Sequence, residues 1–290
     1  MKTIRSSSVG VARPPPGDGR PVFGRPIPPG RGFFCHARRG VSLLGILFVL
    51  GSGLSWAVRV EPARYEFKAP PGGTGSAAFD VTNDTDENLT IKPSTKDWFV
   101  LKENKGISAT DWIILADTRP FKLKPGQTRH VPFQVKAPKA ARGELVGMAS
   151  FLVLKDVPSM VNLVVSVAVY VEILGTEEVA GEISRLAVRP AGDGRVQGMV
   201  LIKNKGNVHL RPEGWMEVLD PKGKQVARIF LELGRPIYPG IERGFMGYSV
   251  PVDLPPGNYR LVAHMSWNGV KETVKENRFR ITQKGEYTLD

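Results

Sequence analysis

From position 161 to 173 every odd-numbered residue is a branched apolar one: Val161, Leu163, Val165, Val167, Val169, Val171 and Ile173. The even positions between them mix Asn162, Ser166, Ala168, Tyr170 and Glu172 with Val164. A period of two is strand geometry, and it places the seven odd residues on one face. Burying each such side chain stabilises by about 1.5–3 kcal/mol, so the face must be covered or it becomes an aggregation edge. Two coverings are open. One is the opposite sheet of the strand's own sandwich, because alternation is what any half-buried strand shows. The other is an extended segment of a second chain, which adds itself to a long edge strand through backbone hydrogen bonds and apolar side chains.

The same rhythm runs through the chain from residue 58 onward. Short alternating stretches at 58–67, 76–81, 89–91 continuing near 98–101, 112–115, 128–135, 146–154 and 161–174 are separated by glycine, proline, asparagine and aspartate. A second series occupies 183–188, 196–203, 214–220, 226–233, 244–250, 258–267 and 270–281. No segment has a convincing amphipathic helical period, so the expected class is all-β. Two groups of about seven strands predict two consecutive immunoglobulin-like β-sandwich domains, at 58–174 and 182–283, with a linker at 175–181 and a tail at 284–290. Asn268-Gly269 is the strongest hairpin signal. The halves share punctuation: an early strand runs into Asn83 or Asn204, and Pro125-Gly126 or Pro239-Gly240 precedes a late strand. Reuse of common turns and internal duplication both account for that.

Residues 1–40 are different in kind. They are rich in proline, glycine and arginine with almost no periodic apolar residues, which predicts a disordered basic leader. Arg38-Arg39, an apolar run over 41–54 and Ser55-Trp56-Ala57 then have the layout of a secretory signal, so 41–57 is expected to be a signal-peptide helix. The rival, a retained membrane anchor, would need about 20 apolar residues. Export places the rest in the periplasm or the extracellular cell envelope, with membrane contact only through the leader helix if it is not cleaved. The only cysteine, Cys35, lies ahead of the apolar run and would leave with the leader.

The formal charge of +12 is concentrated in that leader. Residues 58–290 carry 32 basic and 27 acidic side chains, with no basic stripe interleaved with aromatics, which argues against nucleic acid as a partner. Only His130, His209 and His264 remain among the histidines beyond the leader, without a zinc-type pair. There is no nucleophile elbow, phosphate loop or dinucleotide fingerprint. The expectation is a non-enzymatic protein without metal or cofactor. Catalysis would require carboxylates such as Asp97, Asp111, Asp220 and Asp253 to converge in three dimensions.

A set of features in order gives the first half a more specific likeness. These are Val60-Glu61-Pro62-Ala63-Arg64-Tyr65-Glu66-Phe67, Val81-Thr82-Asn83, Trp98, the 121–127 segment ending in Pro125-Gly126-Gln127, Arg142-Gly143-Glu144 and the alternating 161–173 strand. Over 58–174 the chain resembles the amino-terminal domain of periplasmic pilus-assembly chaperones. The resemblance implies two immunoglobulin-like domains and a role in binding an extended strand of a pilin-like or other β-rich envelope protein along 161–173. It also implies that Arg64 falls where an arginine anchors the client's terminal carboxylate. The family's partner lysine on the last strand has no counterpart here, since Glu172 is the only charge between 167 and 173. The second half, with Lys203-Asn204-Lys205-Gly206-Asn207-Val208-His209-Leu210, is similar instead to bacterial cell-envelope sandwich modules. That likeness implies an alternative, an envelope scaffold or adhesion module that binds wall polymer or a partner protein.

Overall fold

The computed structural model describes residues 58–154 and 163–289. The leader, the signal segment and Val161 lie outside the described residues. The described chain is all-β apart from a 3-10 turn at Lys102–Asn104 and one helical turn, α1 (Ala109–Trp112). The 112–115 segment, expected as strand throughout, therefore starts as that turn. Ser108 caps it, and its amide in turn donates to the Asp111 carboxylate.

The first half is two layers. One sheet has the order β1 (Val58–Glu61), β3 (Thr74–Asn83), β7 (Thr128–Lys136), β5 (Ile113–Leu115). The other runs β2 (Arg64–Ala69), β9 (Val164–Ile173), β8 (Glu144–Leu154), β4 (Leu89–Phe99), β6 (Phe121–Leu123). Between them, Phe79 stacks on Phe133 at 4.5 Å and meets Phe151 edge-on at 5.5 Å, with Trp112, Val169, Val171 and Ile173 filling the same core. The leading 58–67 segment, expected as one strand, is two. β1 pairs antiparallel with β3, and the chain then crosses at Pro62-Ala63 so that β2 pairs parallel with β9 in the opposite sheet. Proline has no N–H to give a ladder, which suits it to a break of this kind.

The second half repeats much of the strand arrangement. Its order is β10 (Gly181–Pro190), β11 (Val196–Asn204), β14 (Glu242–Ser249), β13 (Gln225–Leu231), β12 (Pro212–Leu219), β15 (Gly257–Trp267), β16 (Thr273–Ile281), β17 (Tyr287–Leu289). The first four follow the layout β1-β3-β7-β5, and β12-β15-β16 follows β4-β8-β9. Here β13 also pairs with β12, so the two layers are one sheet folded over a shared core that includes Leu186, Ile202, Met216, Leu261 and Phe279. Lys275 of β16 closes the fold by donating to the Ile183 and Ser184 carbonyls of β10 at 2.9 and 2.8 Å. The expected tail at 284–290 contributes β17, because Tyr287 has an apolar ring to cover and stacks on Phe279 at 5.5 Å. Asn268 and Gly269 both have positive φ, 48° and 76°, as a tight hairpin turn requires.

The shared punctuation of the halves is one device used twice. Asn83 is fully buried; its amide donates to the Glu87 and Leu123 carbonyls, and its Oδ1 accepts from the Thr85 amide. Asn204, equally buried, donates to the Val208 and Ile237 carbonyls and accepts from the Gly206 amide. In each case the asparagine carbonyl also accepts from the glycine of the Pro-Gly turn, Gly126 or Gly240, at 2.8 or 3.0 Å. The Asn204→Ala variant strands two buried carbonyls and should lose about 2–4 kcal/mol of unfolding free energy. Urea denaturation with an unchanged slope checks this, and Asn83→Ala should behave alike.

Candidate functional site

β9 carries the site because its backbone has two edges and the chain covers them unequally. On one side it pairs with β8 along its full length, from Val164↔Leu152 to Glu172↔Glu144. On the other, β2 reaches only from Ala168 to Ile173. Val153 donates to the Leu163 carbonyl at 2.9 Å, which fixes the alternation: odd residues of β9 exchange bonds with β8, and even residues point to the opposite edge. The amides and carbonyls of Val164 and Ser166 therefore face outward, and among the described residues no strand lies beside them. The gap is a direct result of the crossover at Pro62-Ala63, which sends the leading strand to the other sheet just where it would otherwise have covered them.

This arrangement divides the anticipated docking face. Val167, Val169, Val171 and Ile173 are at most 2% exposed and belong to the sandwich core. For them the expectation of contact with another chain is corrected: the odd face turns toward the opposite sheet, and β2 occupies the edge. Leu163 is exposed and Val165 half-buried against the core margin, while Val161 lies outside the described residues. On the even face Val164 is exposed, Ser166 bonds Ser150 across the ladder at 2.8 Å, and Ala168 follows.

Arg64, the first residue of β2, lies opposite Ala168 at the lower end of the gap. It is not free: its Nε donates to Glu66 Oε1 at 2.8 Å. Arg211, from the second half, donates to the same oxygen at 3.0 Å and holds its guanidinium 5.5 Å from the Tyr170 ring. Two guanidinium groups from the two halves thus converge on one carboxylate beside the open edge. Burial is the largest single influence on Glu66 and pushes its carboxyl up. Arg211 and the Arg64 hydrogen bond together outweigh it, so the group is held below the usual carboxylate range.

Beneath this pair the halves are clasped by buried polar contacts. The Glu144 carboxylate accepts the His209 amide at 3.0 Å and bonds the ring Nδ1 at 2.6 Å. Tyr170 packs on the His209 ring at 4.4 Å and shares a hydrogen bond with the Tyr238 hydroxyl at 3.0 Å. Burial first, then that neighbouring hydroxyl, pushes the Tyr170 phenol strongly up, so it stays neutral. Trp98 donates to Tyr238 at 2.9 Å from the far side of the junction.

Each group is positioned locally. Asn104 donates to the Arg142 and Glu144 carbonyls and accepts the Arg142 amide, which fixes the approach to Glu144. Gly143 has φ +62°, and a Cβ there would come within 2.6 Å of the Asn207 carbonyl oxygen. Asn268 donates to the His209 carbonyl and accepts the Arg211 amide, so the hairpin turn orients both residues. Asn207 bonds Thr176 and Glu178, which ties down the stretch expected as a linker.

Three of the four carboxylates that catalysis would require, Asp97, Asp111 and Asp220, serve the backbone instead. Asp97 accepts from the Ala109 amide at 2.5 Å, Asp111 completes the cap of α1, and Asp220 accepts from the Lys222 and Lys224 amides. Among the described residues no group of three or more histidine, cysteine or acidic side chains is placed to hold a metal ion.

The fold is similar to that of solved fimbrial chaperones at low identity. The class 5 fimbriae chaperone CfaA shares 13% identity over 76% of this chain and 98% of its own, with a TM-score of 0.41. The E. coli chaperone DraB shares 13% over 80% and 95%, with a TM-score of 0.37. A CsuC-CsuE chaperone-tip adhesion subunit pre-assembly complex of Acinetobacter baumannii gives 13% over 76% and 97%, with a TM-score of 0.40. No family model and no curated protein sequence matches the chain.

Replacing Glu144 with alanine leaves the buried His209 amide and ring unpartnered and should cost about 1–3 kcal/mol. Calorimetric unfolding should show this as a loss of cooperativity between the halves. Glu66 has a separate acid signature. Its lowered native pKa contributes stability that is complete above the unfolded value of about 4.3 and is lost as pH falls through the native value. Chemical denaturation over that acid range should therefore show the gap between wild type and Glu66→Gln closing as pH falls.

Proposed function

We propose that this is a non-enzymatic, chaperone-like protein of the cell envelope that captures an extended segment of a β-rich partner by strand addition at the open half of β9. The observation that supports this reading is the outward backbone of Val164 and Ser166, beside which no strand of the described residues lies, in a slot aligned with β2 beyond the crossover at Pro62-Ala63. An incoming strand there would satisfy those amides and carbonyls and extend the sheet beyond β2. Leu163, Val164 and Val165 would supply the apolar contact.

The lower end of the slot supports a second element of the reading. Arg64 and Arg211 already hold a carboxylate, that of Glu66, and a guanidinium pair is suited to a second such group. A chain terminus or acidic side chain of the partner would compete with Glu66 for them. Arg211 then takes the part for which the first half offers no lysine. The resemblance of the 58–174 sequence to pilus-assembly chaperones agrees with a pilin-like client and a periplasmic setting.

A proline at 164 tests the mechanism. It removes an outward N–H that the internal ladder does not use and obstructs the slot, while the 167–173 core stays intact. The Val164→Pro variant should keep the wild-type melting curve and lose at least about tenfold in affinity for a β-rich envelope subunit, read by co-purification and by titration. Equal capture by wild type and variant would reject strand addition at this edge. Val167→Glu is expected to unfold the first half instead, since it buries a charge in the core.

A further inference from the structure

We propose that the outer face of the β10-β11-β14-β13 layer is a self-association surface, buried between two copies of this chain about a two-fold axis. The proposal goes beyond the capture role and uses none of its residues. Along β11 and β14 the even residues Val200 and Ile202 and the odd Phe245 are buried, so the alternate residues face outward. The β11–β14 register sets them in rows: Gln197 beside Tyr248, Met199 beside Met246, Leu201 beside Gly244, Lys203 beside Glu242. The centre is apolar and open, with Met246 50% exposed and Phe230, in the Tyr248 row, 59% exposed. Gly244 makes a notch in it. A Cβ there would meet only the Met199 sulfur at 3.5 Å and side-chain carbons of Leu201 and Met199 at 3.8 Å, all on the same face.

The occupant follows from how the rows read when reversed. A two-fold axis parallel to the strands, midway between β11 and β14, lays the β11 column of one copy over the β14 column of the other. Leu201 then sits over the partner copy's glycine notch, and Lys203 sits over a glutamate. Met199 meets a methionine, and at the margin Arg189 of β10 covers a phenylalanine ring. Each contact occurs twice about the axis, as an isologous interface requires, and the Leu201 and Lys203 rows meet complements. Glu232, whose amide donates to the Met246 carbonyl, and Glu242 stand on the same face as Arg185 and Arg189. Charge of both signs suits a second copy better than an anionic lipid surface, which would draw a face of one sign. Four strands about 4.8 Å apart and about six residues tall offer roughly 400 Å² per copy, so the association is weak and concentration-dependent.

Sedimentation velocity of the full-length chain over about two decades of micromolar concentration tests this. The wild type should move from monomer toward dimer. Gly244→Val, which fills the notch, and Lys203→Glu, which sets like charges face to face, should each weaken association by at least about tenfold with unchanged circular dichroism. Combining Lys203→Glu with Glu242→Lys should restore it. Should Gly244→Val disturb the fold, the charge-reversal series decides alone. A wild type that stays monomeric, association that survives both single substitutions, or a monomer that floats with anionic but not neutral vesicles would overturn the proposal.

Discussion

A strand buried on one face must satisfy hydrogen bonds along both edges, and among the described residues β9 has strand partners for all of one edge and only the lower part of the other. The rest of the first half is arranged around that imbalance. The odd residues from Val167 to Ile173 need an opposing sheet, and β1, β3 and β7 provide it. Once β1 is committed to that sheet, the same leading segment can serve β9 only after it crosses. The crossover uses Pro62-Ala63, and β2 starts at Arg64, opposite Ala168. What remains open is therefore fixed by the length of chain spent on crossing, rather than by any residue of β9 itself.

The two halves solve the same packing problem with the same parts and differ in how completely they close. Both hang the turn after their second long strand on a buried asparagine, and both lock a Pro-Gly turn to that asparagine's carbonyl. Such buried amides are stable only when every donor and acceptor is met, which makes a repeated pattern of partners stronger testimony to internal duplication than repeated turn residues. In the second half β13 joins β12, so that the two layers become continuous on that side. In the first half β5 has only three residues and pairs with β7 alone, which leaves the layers separate.

The sequence was most legible where local geometry decides. Alternation identified the strands, and Asn268-Gly269 identified a turn whose φ values permit little else. Legibility failed where the answer depends on a register between distant segments. The 161–173 face reads as one stripe, yet residues 167–173 are core and 163–165 are margin, because β2 ends its reach at a point that β9 does not encode. Arg64 was a candidate through the resemblance of the first half to pilus-assembly chaperones, while Arg211, about 150 residues away, had no local pattern to mark it. Glu144 and His209 lay in segments that carried the likenesses of the two halves, and their pairing needed both halves in place. The nearest available signal was the run from Asn204 to His209, where a buried asparagine and a glycine-bearing turn bring the histidine back toward the first half.

That pairing also bears on the docking edge proposed for β9. A charge withdrawn from water is costly unless it is paired, which applies to Arg211 rather than to the exposed Arg64, and the two share a single glutamate. Arg64 and Arg211 share the Glu66 carboxylate at the lower end of the slot, with neutral Tyr170 beside Arg211 and the Glu144 carboxylate beneath the junction. Lys68 and Glu172 neutralise each other one row below. In the proposed docking, the outward amides of β9 would accept any sequence, and the guanidinium pair would add a preference for a segment that brings its own carboxylate. Backbone pairing would thus supply binding without discrimination, and the arginines the discrimination.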